Sequence, residues 1–199
     1  MPPLLEEIAA TAAALVVEEG LEYGPAKRRA LHQLGLPPRS PLPDNLMVED
    51  AVREHLALFC ADTQPQALRA LRTLALRWMD RLQSHNPHLS GAVWNGTATA
   101  LNDIWLQLFC DDPKSTEWLL IDRGVRYETG STTGFHGRTV DVLSLRDTAP
   151  DLPEPVGVHL VLYDRDDLRG ALVRDAKGRP PRGPATAVRA LLANDTPPV

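Results

Sequence analysis

The spacing of apolar residues changes once along this 199-residue chain, and that change constrains the fold more than any other feature. Up to about Ser84, apolar residues recur every three to four positions, which is the period of a helix with one buried face. From Leu89 onward, apolar residues alternate with other residues, which is the two-residue period of a strand. The sequence therefore predicts an α+β fold with an α/β-type core, in which a helical N-terminal region precedes a mixed sheet flanked by helices.

Proline clusters divide the chain further, at Pro37–Pro43, Pro150–Pro155 and Pro180–Pro184. Proline lacks an amide proton and restricts the residue before it, so these clusters mark boundaries between elements. With the change of period, they predict two parts: a helical region over residues 1–62 and an α/β domain over residues 63–199.

The pattern also predicts where the individual elements lie. Gly20 is expected to close the first helix, and Asp44 or Asn45 to cap the third. The expected helices cover about 4–19, 25–35, 44–59, 63–84, 112–124 and 185–193, with a short helix from Asp166. The expected strands cover about 89–93, 104–109, 125–128, 139–145 and 158–163.

Composition narrows the classes of function. The chain is 43% hydrophobic and 24% charged, which is ordinary for a soluble globular protein. Its net charge of −5 disfavours a general nucleic-acid binder. Its apolar runs fall short of the ~18 residues of a membrane helix, and its opening residues lack the pattern of a signal peptide. Cys60 and Cys110 fit reduced thiols, so we expect a cytoplasmic, bacterial-type protein without a membrane partner.

The stretch from Gly91 to Phe109 is the most informative motif. Gly91 and Gly96 are five residues apart, Asp103 follows seven residues after Gly96, and Asn102 supplies a small polar residue before it. This pattern resembles the signature of minimal nucleotidyltransferases, members of the DNA polymerase beta superfamily. The resemblance implies transfer of a nucleoside monophosphate from a nucleoside triphosphate to a hydroxyl or amine acceptor, with Mg²⁺.

The resemblance also assigns the residues of the site. Asp103 would be a catalytic metal ligand, and Asp141, in the alternating stretch from Thr139 to Leu143, would be its partner on a neighbouring strand. Hard Mg²⁺ ions prefer such carboxylate oxygens. The nucleotide-binding turn would consist of Gly91, Ala92, Gly96 and Asn102, whose backbone amides could approach phosphates closely. For Asp141, an ordinary solvent-facing aspartate remains the other interpretation.

Two residues depart from the family pattern. Ala92 stands where the family has serine, and Trp105 stands where it has the second aspartate. Strand parity puts the Trp105 indole on the face of Asp103, and an indole cannot bind Mg²⁺. We therefore expect a degenerate member with weak or absent transfer and retained nucleotide binding. The alternatives are a non-catalytic interaction or regulatory protein that uses the fold as a scaffold, and an unrelated α+β fold with a glycine turn.

Other polar residues carry weaker signals. His85 and His88 fit solvated loop histidines. His159 alternates with apolar neighbours and is expected on a sheet surface. The basic stretch Arg174–Arg182 is expected to be a solvated loop, and it is the first candidate for phosphate contacts. Trp118 fits the core face of a helix.

Overall fold

The protein has an α+β fold, as the change of period predicts. The computed structural model describes residues 2–194, so Met1 and residues 195–199 of the predicted second domain lie outside it. No helix within residues 2–194 is long and apolar enough to cross a membrane. The helices are α1 (Pro2–Glu19), α2 (Tyr23–Gln33), α3 (Asn45–Phe59), α4 (Gln64–Arg81), α5 (Gly91–Asn95), α6 (Lys114–Asp122), α7 (Leu168–Ala171) and α8 (Ala185–Asn194). The strands are β1 (Pro87–Ser90), β2 (Ile104–Cys110), β3 (Glu128–Thr133), β4 (Thr139–Asp147), β5 (Val156–Asp164) and β6 (Arg182–Pro184).

The described residues form two compact units. The helical unit comprises the chain up to Gln66 together with Thr97–Leu101, and the sheet unit comprises Ala67–Gly96 and everything described from Asn102 onward. The predicted boundary between residues 62 and 63 lies four residues before this division. The sequence gives no sign that Thr97–Leu101 returns to the helical unit.

The helical unit is built from α1, α2 and α3 around one apolar cluster. Helix α1 is rich in alanine and buries Ile8, Ala12 and Ala13 completely. Small side chains allow helices to approach closely, and Ala26 and Ala30 of α2 are buried in the same cluster. The Asp44 side chain caps α3 by accepting a hydrogen bond of 2.7 Å from the Met47 amide, which confirms the predicted start of that helix.

The sheet unit contains a six-stranded mixed sheet in the order β3-β4-β5-β2-β1-β6. Strands β2 and β5 are parallel, and the other neighbours are antiparallel. One face, called the leucine face here, carries a row of directly paired residues that are at most 1% exposed: Leu89, Leu106, Leu160 and Leu143. This row explains the alternation, because every second residue of the central strands must face the core.

The opposite face, called the histidine face, differs between its two ends. At one end Phe109, Val161 and Tyr163 form a buried apolar cluster, and Phe135 stacks on Tyr163 with ring centroids 4.5 Å apart. At the other end lie the polar side chains of Asp103, His159 and Ser144, described below. The histidine face is therefore closed at one end and accessible at the other.

Three predictions about elements need correction. The strand expected over 89–93 ends at Ser90, because Gly91 adopts a φ of +71° and begins α5. The strand expected over 125–128 is instead Glu128–Thr133, an exposed stretch without apolar alternation to mark it. The basic stretch, expected to be a loop, ends at Arg182, the first residue of the three-residue strand β6, which pairs with β1.

Asp147, at the end of β4, holds α4 through its carboxylate. Its Oδ2 accepts hydrogen bonds from Trp78 Nε1 at 2.8 Å and Arg77 Nη2 at 3.0 Å, and its Oδ1 accepts from the Thr148 amide at 2.8 Å. Desolvation alone would raise the pKa of the Asp147 carboxyl, but these hydrogen bonds and the Arg77 charge outweigh it, so the pKa is lowered.

We expect Asp147→Asn to lower the free energy of unfolding by about 1–2 kcal/mol at pH 7, since a charged acceptor of three hydrogen bonds, one of them partly buried, is lost. A pKa lowered in the folded state contributes stability above the unfolded value of about 3.9, and that stability disappears as the pH falls through the folded pKa. Urea unfolding at pH 7 and below pH 3 should therefore show the difference between the two proteins shrinking in acid. The exposed Asp151→Asn is the control, and an Asp147→Asn effect equally large at both pH values would contradict the argument.

Candidate functional site

The site begins where β2 begins. Asp103 immediately precedes β2, and strand parity puts its side chain on the same face as Trp105. The strand register then aligns Ser90, Trp105, His159 and Ser144 as direct neighbours across four strands. Both Asp103 and Trp105 contact His159. The predicted shared face of Asp103 and Trp105 is thus confirmed, and it is the histidine face.

A chain of hydrogen bonds links three of these side chains. His159 Nδ1 lies 2.9 Å from Ser144 Oγ, and His159 Nε2 lies 3.0 Å from Asp103 Oδ2. An ionised carboxylate can only accept hydrogen bonds, so His159 Nε2 carries the hydrogen and donates a hydrogen bond to Asp103. With the imidazole neutral, Nδ1 is then the acceptor for the Ser144 hydroxyl. The order Ser144–His159–Asp103 places a hydroxyl, a base and a carboxylate in series.

The second oxygen of Asp103 is held as well. Asp103 Oδ1 accepts a hydrogen bond of 2.9 Å from the Gly157 amide. The carboxylate fits because Gly157 has no side chain: a Cβ at this position would lie 2.6 Å from the Asp103 carboxyl atoms. On the other side of His159, the Trp105 indole stacks on the imidazole with centroids 4.3 Å apart and planes inclined by 26°. The orientation of the imidazole is therefore fixed by contacts on several sides.

The three linked side chains line a cavity of about 580 Å³. This volume is in the range of small-molecule sites. The Asp103 side chain is 49% exposed and the His159 side chain 19% exposed, so solvent reaches the linked groups. The formal charges around the cavity balance, because the lining contains two acids and two arginines: Asp103, Glu128, Arg126 and Arg146. The cavity suits a polar ligand of moderate size.

The structure does not bring Asp103 and Asp141 together. Extending the β4–β5 register by one residue places Asp141 opposite Leu162, which pairs with Leu108 on β2, five residues beyond Asp103. At ~3.3 Å per residue the two carboxylates are more than ~15 Å apart along the strands. Parity also puts Asp141 on the leucine face. The predicted two-acid metal centre is therefore not formed.

The fit of a magnesium ion to Asp103 alone is poor. Both of its carboxylate oxygens already accept hydrogen bonds, from His159 and from Gly157. Among residues 2–194, no three His, Cys, Asp or Glu side chains come close enough to hold a metal ion together. The residues present do not fit the magnesium centre that the resemblance implies.

The glycine motif shapes a helix rather than a tight turn. Gly91 begins the five-residue helix α5 with a φ of +71°, and Gly96 ends it with a φ of +84°, its amide donating to Ala92 O at 2.9 Å. The buried Arg72 donates to the carbonyls of Val93 at 3.1 Å and Trp94 at 3.2 Å, which satisfies groups that a helix end leaves unpaired.

The pairing of β1 with β2 sets the position of the glycine motif relative to Asp103. Ser90, which precedes Gly91, pairs with Trp105, and Asn102 directly precedes Asp103. The glycine motif and Asp103 therefore lie at the same end of the sheet.

His85 and His88 are not the solvated loop residues that the sequence predicts. Each is 5% exposed. His85 lies between Ser84 Oγ at 3.0 Å and Ser115 Oγ at 2.8 Å, and burial lowers its pKa. The His88 ring meets Phe109 edge-on at 5.4 Å, and burial lowers its pKa too. Both histidines are structural parts of the sheet unit.

Sequence reasoning missed Ser144 as a functional residue. His159 faces away from Val158 and Leu160 as predicted, but its two partners could not be foreseen. Ser144 and Asp103 are 41 positions apart in the sequence, and only the register of β4, β5 and β2 aligns them. The available signal was parity, which puts Ser144 on the face opposite its neighbours Leu143 and Leu145, just as it puts His159 opposite Val158 and Leu160.

Comparison with known proteins adds no family to this description. No protein-family model matches the chain, and no curated protein is significantly similar to it. The resemblance of Gly91–Phe109 to nucleotidyltransferases therefore stays a prediction.

Proposed function

We propose that this protein is a degenerate nucleotidyltransferase-like protein whose cavity beside Asp103 binds a nucleoside triphosphate or a related phosphorylated ligand without two-metal transfer. The observation that carries the proposal is the cavity itself, which Asp103 lines together with Arg126 and Arg146, whereas Gly91, Ala92, Gly96 and Asn102 do not line it. Transfer is weak or absent because Asp103 is engaged by His159 and Gly157, far from Asp141. The unpaired thiols of Cys60 and Cys110 fit the cytoplasmic location proposed for it.

Two arginines of the cavity lining, Arg126 and Arg146, support a phosphorylated ligand. The Arg126 side chain is exposed and lines the cavity. Arg146 uses Nη2 to donate to Pro155 O at 2.8 Å and keeps other donors available. Guanidinium groups bind phosphate oxygens through charge-assisted hydrogen bonds. Arg126 is accordingly the proposed main phosphate contact.

Isothermal titration calorimetry with ATP, GTP, CTP and UTP tests this proposal. We expect at least one to bind with a Kd between about 10 µM and 1 mM, which corresponds to roughly −7 to −4 kcal/mol. Its affinity should change less than about threefold between Mg²⁺ and EDTA, since Asp103 is not free to hold the ion. Arg126→Gln should weaken binding by about fivefold or more.

The matched control is Arg123→Gln, which removes an exposed arginine of the same segment that does not line the cavity. It should leave the affinity unchanged. Absence of heat with all four nucleotides at millimolar concentration would overturn the proposal. Binding that requires Mg²⁺ and is lost in Asp141→Ala would overturn the metal-independent form of it.

A scaffold role is the second candidate, and it is favoured by one surface. Trp118 and Ile121, three residues apart on α6, are 64% and 54% exposed. Trp118 is therefore not in the core, contrary to the prediction from the sequence. Exposed aromatic side chains are enriched in protein interfaces. This surface lies on α6, whereas no residue of α6 lines the cavity, so a scaffold role would not depend on Asp103.

A further inference from the structure

We propose that Ser144 is an activated nucleophile, positioned by His159 and Asp103, and that the cavity admits carboxylic esters that it cleaves. This activity goes beyond the nucleotide binding proposed above and needs no metal ion. The observation behind it is the continuous hydrogen-bonded series of hydroxyl, imidazole and carboxylate on the accessible end of the histidine face.

The geometry meets the requirements of a hydroxyl nucleophile. A serine hydroxyl is a weak nucleophile unless a base removes its proton as it attacks, and that base must lie within hydrogen-bonding reach. His159 Nδ1 lies 2.9 Å from Ser144 Oγ. The base in turn needs a third group that fixes its tautomer, and Asp103 Oδ2 does this from 3.0 Å.

The arrangement is held rigidly before any substrate arrives. Ser144 and His159 are direct cross-strand partners on β4 and β5, so the backbone ladder sets their separation. Trp105 stacks on one side of the imidazole, and the Gly157 amide fixes the carboxylate. A site held by strands and packing keeps its geometry better than one on a loop.

The cavity supplies access and charge. Ser144, His159 and Asp103 all line it, together with the exposed Arg126. Ester cleavage develops negative charge on the carbonyl oxygen, and a positively charged donor in the cavity stabilises that charge. Arg126 is the candidate for this role.

The reaction follows from these positions. Ser144 Oγ attacks the ester carbonyl carbon while its proton passes to His159 Nδ1. The C–O bond to the leaving alcohol breaks, and the proton on Nδ1 goes to that alcohol, which leaves an acyl group on Ser144. Water then attacks the acyl carbon, gives its proton to Nδ1, and releases the carboxylic acid as Ser144 recovers its hydrogen. Asp103 stays ionised throughout.

A fluorophosphonate probe tests the nucleophile directly, because an activated serine displaces its fluoride and keeps the phosphonyl group. We expect one phosphonyl group per molecule of the full chain, located on Ser144 by peptide mass spectrometry. Ser144→Ala should abolish labelling, and His159→Gln should slow it by about a hundredfold or more. Hydrolysis of p-nitrophenyl acetate should fall in parallel.

The control is Ser131→Ala, which removes an exposed serine of the neighbouring strand β3 that has no histidine beside it. Its labelling rate should equal that of the wild type. Labelling that is absent from wild-type Ser144, or spread over exposed serines and unaffected by His159→Gln, would overturn the proposal. Calorimetry with nucleotides on the wild type reports separately on the proposed binding function, so either proposal can fail while the other stands.

Discussion

Replacing Leu106 with alanine is expected to lower the free energy of unfolding of the sheet unit by about 3–5 kcal/mol. Leu106 is fully buried in the central strand β2 and is paired directly with Leu89 on one side and Leu160 on the other. The substitution removes apolar contacts and leaves a cavity that neighbouring strands cannot collapse into, because backbone hydrogen bonds fix their spacing. Urea denaturation followed by circular dichroism measures the loss.

Ile121→Ala is the matched control for this prediction. Ile121 is also apolar, but it is 54% exposed on α6, so its removal should cost less than about 1 kcal/mol. Equal losses for the two substitutions would mean that the leucine row does not form the core of the unit. A loss below about 1 kcal/mol for Leu106→Ala would have the same meaning.

The leucine row also explains which parts of the fold could be predicted from the sequence. Strands β2, β4 and β5 contribute to it, and each has one face that must be apolar, so alternation reveals them. Strand β3, at the edge, is exposed along most of its length and carries no such pattern. Strand β6 has three residues and includes Gly183 and Pro184. Apolar alternation in the sequence therefore reveals strands that bury one face, and it does not reveal edge strands such as β3 and β6.

The candidate site was partly within reach of sequence reasoning, for a similar reason. Parity predicts that Asp103 and Trp105 share a face, because this needs only the local period of one strand. Whether Asp103 and Asp141 lie together depends on two further facts. These are the register of β4 on β5 and the face of the sheet on which Asp141 lies. Both depend on how the strands pair, and they place Asp141 far from Asp103 and on the opposite face. Ser144 was missed because its alignment with His159 depends on that same register.

The site gives a structural role to Trp105, which stands where the nucleotidyltransferase signature has an aspartate. In a two-metal site a second carboxylate at position 105 would stand beside Asp103 and repel it unless cations were bound. Here residue 105 is a tryptophan whose indole stacks on His159. The Asp103 carboxylate is stabilised by hydrogen bonds from His159 and from the Gly157 amide. Trp105 and His159 therefore belong to one arrangement. The Trp105 indole supports the serine–histidine–aspartate series through its stacking on His159.

Gly157→Ala is expected to disrupt this arrangement with little change elsewhere. The added methyl group would lie 2.6 Å from the Asp103 carboxyl atoms, so the carboxylate must rotate away. Asp103 then loses the hydrogen bond from the Gly157 amide and its alignment with His159 Nε2. We expect fluorophosphonate labelling of Ser144 to slow by about tenfold or more, close to the effect of Asp103→Asn, because the imidazole is no longer held in the required tautomer.

A second measurement separates this effect from a general loss of structure. The Nε2 proton of His159 should give a protected imidazole signal in NMR spectra of the wild type, and this signal should weaken or disappear in Gly157→Ala. Gly130→Ala is the matched control, since Gly130 lies in strand β3 of the same sheet and its added methyl group would approach nothing closer than Val142 O at 4.0 Å. An unchanged His159 signal and labelling rate in Gly157→Ala would show that the Gly157–Asp103 contact does not position the histidine. Similar losses in both glycine variants would show that the sheet as a whole, and not this contact, had been disturbed.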